Sequence, residues 1–298
     1  MSSLIVCNTG SDSISKVSID EDFGEEELAT KEILLKNEDK PLGPSSICLA
    51  NNIAYTANSY SNSISIINMD TLKEENSIYV GAHPNDLAID KNYLYIACSE
   101  SNSVVIYDIK EKKIVLDITV NSWPHNIELC KSLNLLFISN FQSNNVSIID
   151  ITTNKVINEL TTLEYPTKIK VSNDKKLLYV CESYMGDDKN GYIEVFDIKT
   201  FESINRIKVG KSPVDILEDE GSIYICNFGD GTLTIIDRSN YKKFRKMSLG
   251  GMPKSIIKLG EIAFVSDYLN GRIICINLNI NKTKVITVGK EPNAMTLY

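Results

Sequence analysis

Apolar and polar residues alternate in short bursts along the chain, and the same arrangement of bursts returns about every forty residues, a period of propeller blades rather than of helical repeats. The clearest copy is 81–120, GAHPNDLAIDKNYLYIACSESNSVVIYDIKEKKIVLDITV. Within it, 86–90, 93–98, 103–108 and 114–119 are predicted as four strands, A to D, with polar turns at 91–92, 99–102 and 110–113. No stretch sustains a 3.6-residue apolar stripe for three turns, so helix is nearly absent from the expectation.

A proline marks each copy, at Pro44, Pro84, Pro124, Pro166, Pro213, Pro253 and Pro292. Strand B carries two columns two residues apart, which places both on one face of the sheet. The first column is aromatic in six copies (Tyr55, Tyr95, Phe137, Tyr179, Tyr224, Phe264) and Ile5 in the remaining one. The second is small: Cys7, Ala57, Ala97, Ser139, Cys181, Cys226 and Ser266. Large rings beside small neighbours interdigitate with an adjacent sheet. Strand C reads Ile64-Ser65-Ile66-Ile67, Val104-Val105-Ile106-Tyr107 and Val146-Ser147-Ile148-Ile149, as expected of a central strand. It ends in Asn68, Asp108, Asp150, Asp197, Asp237 and Asn277, where a short polar side chain bonds to the next turn.

The ends complete the count. After Pro292 only enough chain remains for strand A, whereas the N-terminus begins directly with strand B at Leu4-Ile5-Val6-Cys7. The expectation is therefore all-β: a seven-bladed β-propeller of four-stranded antiparallel blades, one domain over 1–298. Its terminal blade is built from 292–298 plus 1–40, the N- and C-terminal strands sharing that sheet and removing the open edge. Two copies carry insertions: 186–191 between strands B and C of the fifth blade, and the acidic connection 20–31 between C and D of the terminal blade. Asp187 and Asp188 are weak calcium candidates, and the acidic run Asp20-Glu21-Asp22 with Glu25-Glu26-Glu27 suits a solvated loop or a basic partner.

The pattern resembles the YVTN-repeat seven-bladed propellers, within the YncE-like or quinoprotein amine dehydrogenase beta-chain-like group. It is carried by Pro213-Val214-Asp215-Ile216, Tyr224-Ile225-Cys226-Asn227 and Ile235-Ile236-Asp237, and by 84–120. The resemblance covers the whole chain and implies an architecture shared by surface proteins, binding proteins and enzyme subunits. It implies no quinone for these blades. Many such sequences carry export signals, which MSSLIVCNTGSDS lacks. The chain as written is thus expected to be cytoplasmic, or extracellular if an export signal was removed.

The composition, 43% hydrophobic and 23% charged, is that of a globular protein. A net charge of -8 argues against nucleic acid as partner, and no 18-residue apolar span suggests a transmembrane segment. The seven cysteines fall one per blade without CxxC spacing, which favours isolated thiols. Cys98, in a column otherwise held by Asn8, Asn58, Asn140 and Asn227, is either a reactive thiol or a size-conserving replacement.

Candidate chemistry gathers beside the repeated proline, where strand A would open near one mouth of the channel. His83 and His125 are the only histidines; with Asp86, Asp215 and Glu291 they form the catalytic candidates. Asn85, Asn126, Asp215 and Asn293 could imitate a ring of oxygen ligands for a divalent cation in the channel, the one cofactor considered. Trp123, His125, Asn126, Tyr165, His83 and Asn85 form the ligand-binding set; Trp123, Tyr165 and Met252 either pack over the proline ring or face a ligand. Lys168 and Lys254 lie in the same loops. The functional expectation is a monomeric scaffold binding a protein, peptide or small polar ligand at the channel mouth without catalysis. Its alternatives are a metal-assisted lyase or lactone hydrolase and a surface-associated structural protein. The streptogramin lyases use late-blade histidines, and none follows His125 here.

Overall fold

Seven four-stranded antiparallel sheets follow one another in the computed structural model, which describes residues 2–19, 29–35, 40–242 and 244–298. Blade 1 is the composite sheet. Its innermost strand, Pro292–Leu297, pairs with Ser3–Asn8, followed by Ser13–Ser18 and Thr30–Leu34. Leu4 stands opposite Leu297 and Val6 opposite Met295, and Ser3 and Tyr298 exchange two backbone hydrogen bonds of 2.8 Å. Blades 2 to 7 each begin at their proline and run in order from the channel outward, A to D. The acidic run 20–22 and 25–27 lies outside the described residues.

The periodic columns explain how the ring is held. Strand B is buried on both faces in every blade. Its aromatic and small columns meet the opposite face of strand B in the next blade: Tyr55 and Ala57 pack on Leu94, Ile96 and Cys98. The same joint recurs as Tyr95 and Ala97 on Leu136 and Ile138, and as Phe137 on Leu178 and Val180. It closes through Phe264 on Leu4 and Val6, then Ile5 and Cys7 on Ala54. Each joint withdraws large apolar side chains from water, each side chain stabilising the fold by about 1.5–3 kcal/mol. No sheet has a second apolar surface of its own to cover these faces, so the blades are stable only together.

All seven cysteines are free. Cys7, Cys181 and Cys226 fill their small column with no exposure. Cys98 is equally buried, and burial, with Asp117 nearby, pushes its thiol up to about 12. That makes it a packing residue rather than a nucleophile.

The prolines shape the inner strands. Pro84 pairs with Cys98 and Asp86 with Ala97, leaving Asn85 as an extra, unmatched residue, and the same irregularity follows Pro44, Pro124, Pro166, Pro213 and Pro253. Proline cannot donate to a ladder and is tolerated where a bulge interrupts pairing on an edge strand. The bulge breaks strict alternation, so two successive residues after each proline come to bear on the channel and the neighbouring blade. Strand A therefore starts at Pro84, two residues before the sequence pattern places it.

Candidate functional site

The proline-bearing ends of all seven A strands surround one mouth of the channel, together with the D–A and B–C loops. The channel encloses a cavity of about 430 Å³ whose wall includes Asn85, Asp86, His125, Asn126, Lys168, Asp215, Lys254 and Asn293. His83, Trp123, Tyr165 and Glu291 stand outside that wall, on the rim.

Most of the polar wall fastens blade to blade. In one belt, Ser45 Oγ donates to the Asn85 carbonyl at 3.1 Å and Asn85 Nδ2 to the His125 carbonyl at 2.9 Å. His125 Nδ1 lies 2.8 Å from the Thr167 carbonyl, and Thr167 Oγ1 donates to the Pro213 carbonyl at 2.8 Å. In the second belt, Asp86 accepts from Ser46 Oγ, from Asn126 Nδ2 and, at 3.0 Å, from Ile127 N–H. Asn126 Oδ1 accepts from Ile169 N–H at 2.8 Å, and Asp215 accepts from Ile256 N–H at 2.8 Å and from its neighbour Ile216 N–H at 3.0 Å. Every inter-blade link spans about one repeat, the spacing by which strand A positions superpose around a ring.

These partners define what each candidate can do. Asn126 is buried with both ends of its amide engaged, so it holds Asp86 and blade 5 in place. Asp215 faces Lys168 Nζ at 3.7 Å. Asn85 and Asn293 also spend their amide nitrogens within the protein, the latter on Thr9 Oγ1 at 3.3 Å. Among the described residues no three His, Cys, Asp or Glu side chains are grouped to hold a metal ion. His83 and His125 do not converge: His83 meets Trp123 at the rim with ring centres 5.3 Å apart and planes tilted by 41°, while His125 sits on the channel wall. Glu291 is at the rim on another blade, accepting from Tyr268 OH at 3.0 Å.

Because a carbonyl only accepts, the His125–Thr167 contact requires hydrogen on Nδ1, leaving Nε2 with its lone pair. Burial, reinforced by the positive charge of Lys254, pushes the His125 pKa down to about 4, so the ring is neutral at physiological pH. Desolvation also opposes the charge on Lys168, but Asp215, Asp86 and Glu128 outweigh it and the net direction is upward. Lys254 moves the other way: burial holds it below an ordinary lysine, aided by Lys168 and only partly offset by Asp215.

The rim is aromatic. Trp123 and Tyr165 precede their prolines with φ of 61° and 57°, and His83 does so at 55°, in the left-handed region that glycine adopts freely at Gly43. Their backbone N–H groups donate to Asn102, Asn144 and Asn62 side chains at 2.9, 3.0 and 2.9 Å. This conformation turns the side chains onto neighbouring rings. Tyr165 stacks on Phe141 at 4.7 Å and Phe141 on His125 at 5.6 Å, while Phe228 meets Tyr268 edge-on at 5.8 Å. Phe141 and the turn asparagines were not singled out from sequence. The asparagines recur immediately before strand C, and that spacing was the available signal.

The fifth-blade insertion is partly strand. Asn190–Asp197 pairs with Ser203–Lys211, so strands C and D lengthen and the extra loop shortens to 183–189. Asp187 pairs with Lys189 at 2.8 Å and Asp188 with Lys211, which occupies both calcium candidates with lysines. At the base of this hairpin Glu182 stands where four other blades have Asn8, Asn58, Asn140 and Asn227. Its fully buried carboxyl adjoins that of Glu194, with Arg206 3.5 Å from Glu182 and 2.7 Å from Glu194. Burial first, then the adjoining Glu194, raise the Glu182 pKa, against the opposing pull of Leu163 N–H and Arg206. An unfolded glutamate loses its proton near ~4.3. The folded chain keeps that proton to higher pH, so stability falls as pH rises between the two values. Glu182→Gln preserves an acceptor for Leu163 N–H without a proton to lose. Its melting temperature is expected to exceed the parent's at pH 8 and to match it at pH 4; an equal gap at both pH values would contradict the shared proton.

Comparison with known proteins agrees with the architecture. A family model described as a YncE-like beta-propeller matches residues 86–222. Curated protein sequences contain no significant match. Among solved structures, a functionally unknown protein from Desulfotomaculum acetoxidans superposes with a TM-score of 0.80 at 12% identity, covering 99% of this chain and 98% of that one. Kuenenia stuttgartiensis hydrazine synthase gives 0.76 at 17% identity over 87% and 90% of the two chains. Virginiamycin B lyase from Staphylococcus aureus gives 0.71 at 15% over 85% and 88%. At these identities the likeness concerns the fold. No helix among the described residues is long and apolar enough to cross a membrane.

Proposed function

We propose that this protein, whose fold is a seven-bladed YncE/YVTN-like β-propeller, is a recognition scaffold that takes up a protein, peptide or small ligand at its proline-bearing mouth. The observation that carries the reading is the aromatic rim. Trp123, Tyr165 and His83 hold left-handed backbone at non-glycine positions, a strain of order 1–3 kcal/mol each. They present half-buried rings beside an open cavity. Rings stacked in advance lose little freedom on binding, and the two belts of inter-blade hydrogen bonds keep the loops in register. The polar wall is committed to fastening the ring, which leaves the rim and the cavity to recognition.

Trp123 is the sole tryptophan, so its emission reports on this mouth directly. Ligands found in a fluorescence screen of the intact chain are expected to shift that emission. Trp123→Ala and Tyr165→Ala are expected to weaken them about 10-fold or more, as for anchor residues. Ligands that bind the parent and both variants equally would place recognition elsewhere.

A further inference from the structure

The charges on the channel wall are unevenly satisfied. Asp86 has three donors, and Asp215 has two backbone N–H groups with Lys168 beside it. Lys254, which also lines the cavity, has no hydrogen-bond or ion-pair partner among the described residues; the Phe228 ring, 6.0 Å from its Nζ, is its one contact of note. An ammonium withdrawn from water without an acceptor is costly, and an acceptor entering the cavity relieves that cost. A single unpaired cation, with Asp215 and Asp86 also bordering the cavity, matches one negative charge rather than the two of a dianion such as phosphate. The cavity, about 430 Å³, has the capacity for a small organic acid. The stacked rings at the entrance supply a surface for an apolar body behind the charged group.

We propose that the channel of this protein receives a carboxylate, bound by Lys254, with the aromatic remainder of the ligand against the rim. The carboxylate belongs to a small aromatic acid or to the C-terminus of a peptide. This deepens the recognition reading and rests on it.

The test is calorimetric titration of the intact chain with phenylacetate and phenylacetamide, and with Gly-Gly-Phe and its C-terminal amide. The acid of at least one pair is expected to bind about 10-fold or more tightly than its amide, a hydrogen bond between charged groups being lost in the amide. A free-acid preference confined to the first pair identifies a small acid, and one confined to the second identifies a peptide terminus. Lys254→Met is expected to abolish the preference while melting no lower than the parent, since the lysine has no hydrogen bond or ion pair to lose among the described residues and methionine keeps its contact with the Phe228 ring. Lys254→Arg is expected to retain it. Equal binding of acid and amide, binding unchanged in Lys254→Met, or no binding of either acid at about 10 mM, weaker than any useful affinity, would overturn the inference. Loss of acid preference in Lys254→Met alongside equal affinity in Trp123→Ala and Tyr165→Ala would uphold the carboxylate and remove the rim. Loss of affinity in the rim variants alone would uphold the mouth and remove Lys254.

Discussion

A chain ended at Glu291 is expected to lose cooperative thermal unfolding. Deleting 292–298 removes the innermost strand of blade 1, and with it the ladder to Ser3–Asn8 and the paired backbone bonds between Ser3 and Tyr298. Met295 and the half-buried Leu297 leave one inter-blade cluster; Ala294 and the Tyr298 ring, over which Lys16 Nζ lies at 4.3 Å, leave another. Leu4, Val6, Ile5 and Cys7, all fully buried, are then uncovered on the channel side. Two apolar side chains at up to about 1.5–3 kcal/mol each, before the ladder is counted, together reach the lower end of the stability of a typical fold, about 5–15 kcal/mol. The strand Ser3–Asn8 also loses its inner partner and becomes an unpaired edge. Circular dichroism melts of the two chains check this. A truncated chain that melts sharply within a few degrees of the parent would mean that the shared blade does not hold the ring.

Phe137→Ala is expected to destabilise the protein by about 3–5 kcal/mol, the usual cost of deleting a buried phenylalanine. Phe137 has no exposure and sits in the joint between blades 4 and 5, against Val146, Leu178, Val180 and Phe196. The facing sheets are pinned by their own ladders on either side, so neither can move in to fill the space. At this chain length such a loss lowers the melting temperature by about 5–8 °C. Leu133→Ala, in an exposed turn residue, is the control and is expected to change stability by less than about 0.5 kcal/mol. Denaturant titration of the three chains measures both. A Phe137→Ala cost below about 1 kcal/mol would show that the aromatic column is not a structural joint.

The columns were legible because each is a repeated steric requirement: a ring at Tyr55 or Phe137 needs a small residue two positions on, and repetition makes the requirement visible. The same holds for the terminal blade, since a lone strand A at one end and a missing one at the other can be completed only by each other. The roles of individual mouth residues were not legible. Asn126 and Asp215 read as ligand-facing polar groups, yet their side chains answer backbone N–H groups of Ile169 and Ile256 one blade away. Trp123 and Tyr165 read equally well as covers for their prolines, whereas the fold sets Trp123 against the tilted His83 ring and stacks Tyr165 on Phe141. Nothing local distinguishes these partners, because each lies about forty residues distant.

The amino-acid order alone settled the number of blades, the burial of strand B and the joining of the two ends, since periodicity, ring size and strand alternation are properties of the chain itself. Tertiary structure alone decided which polar groups remain unspent. The bulge after each proline turns adjacent residues toward the channel, and closure then brings Asp86 to Asn126 and Lys168 to Asp215 while Lys254 is left without an acceptor among the described residues. A charge's partner is set by distance in space, which the spacing of residues along a chain does not encode.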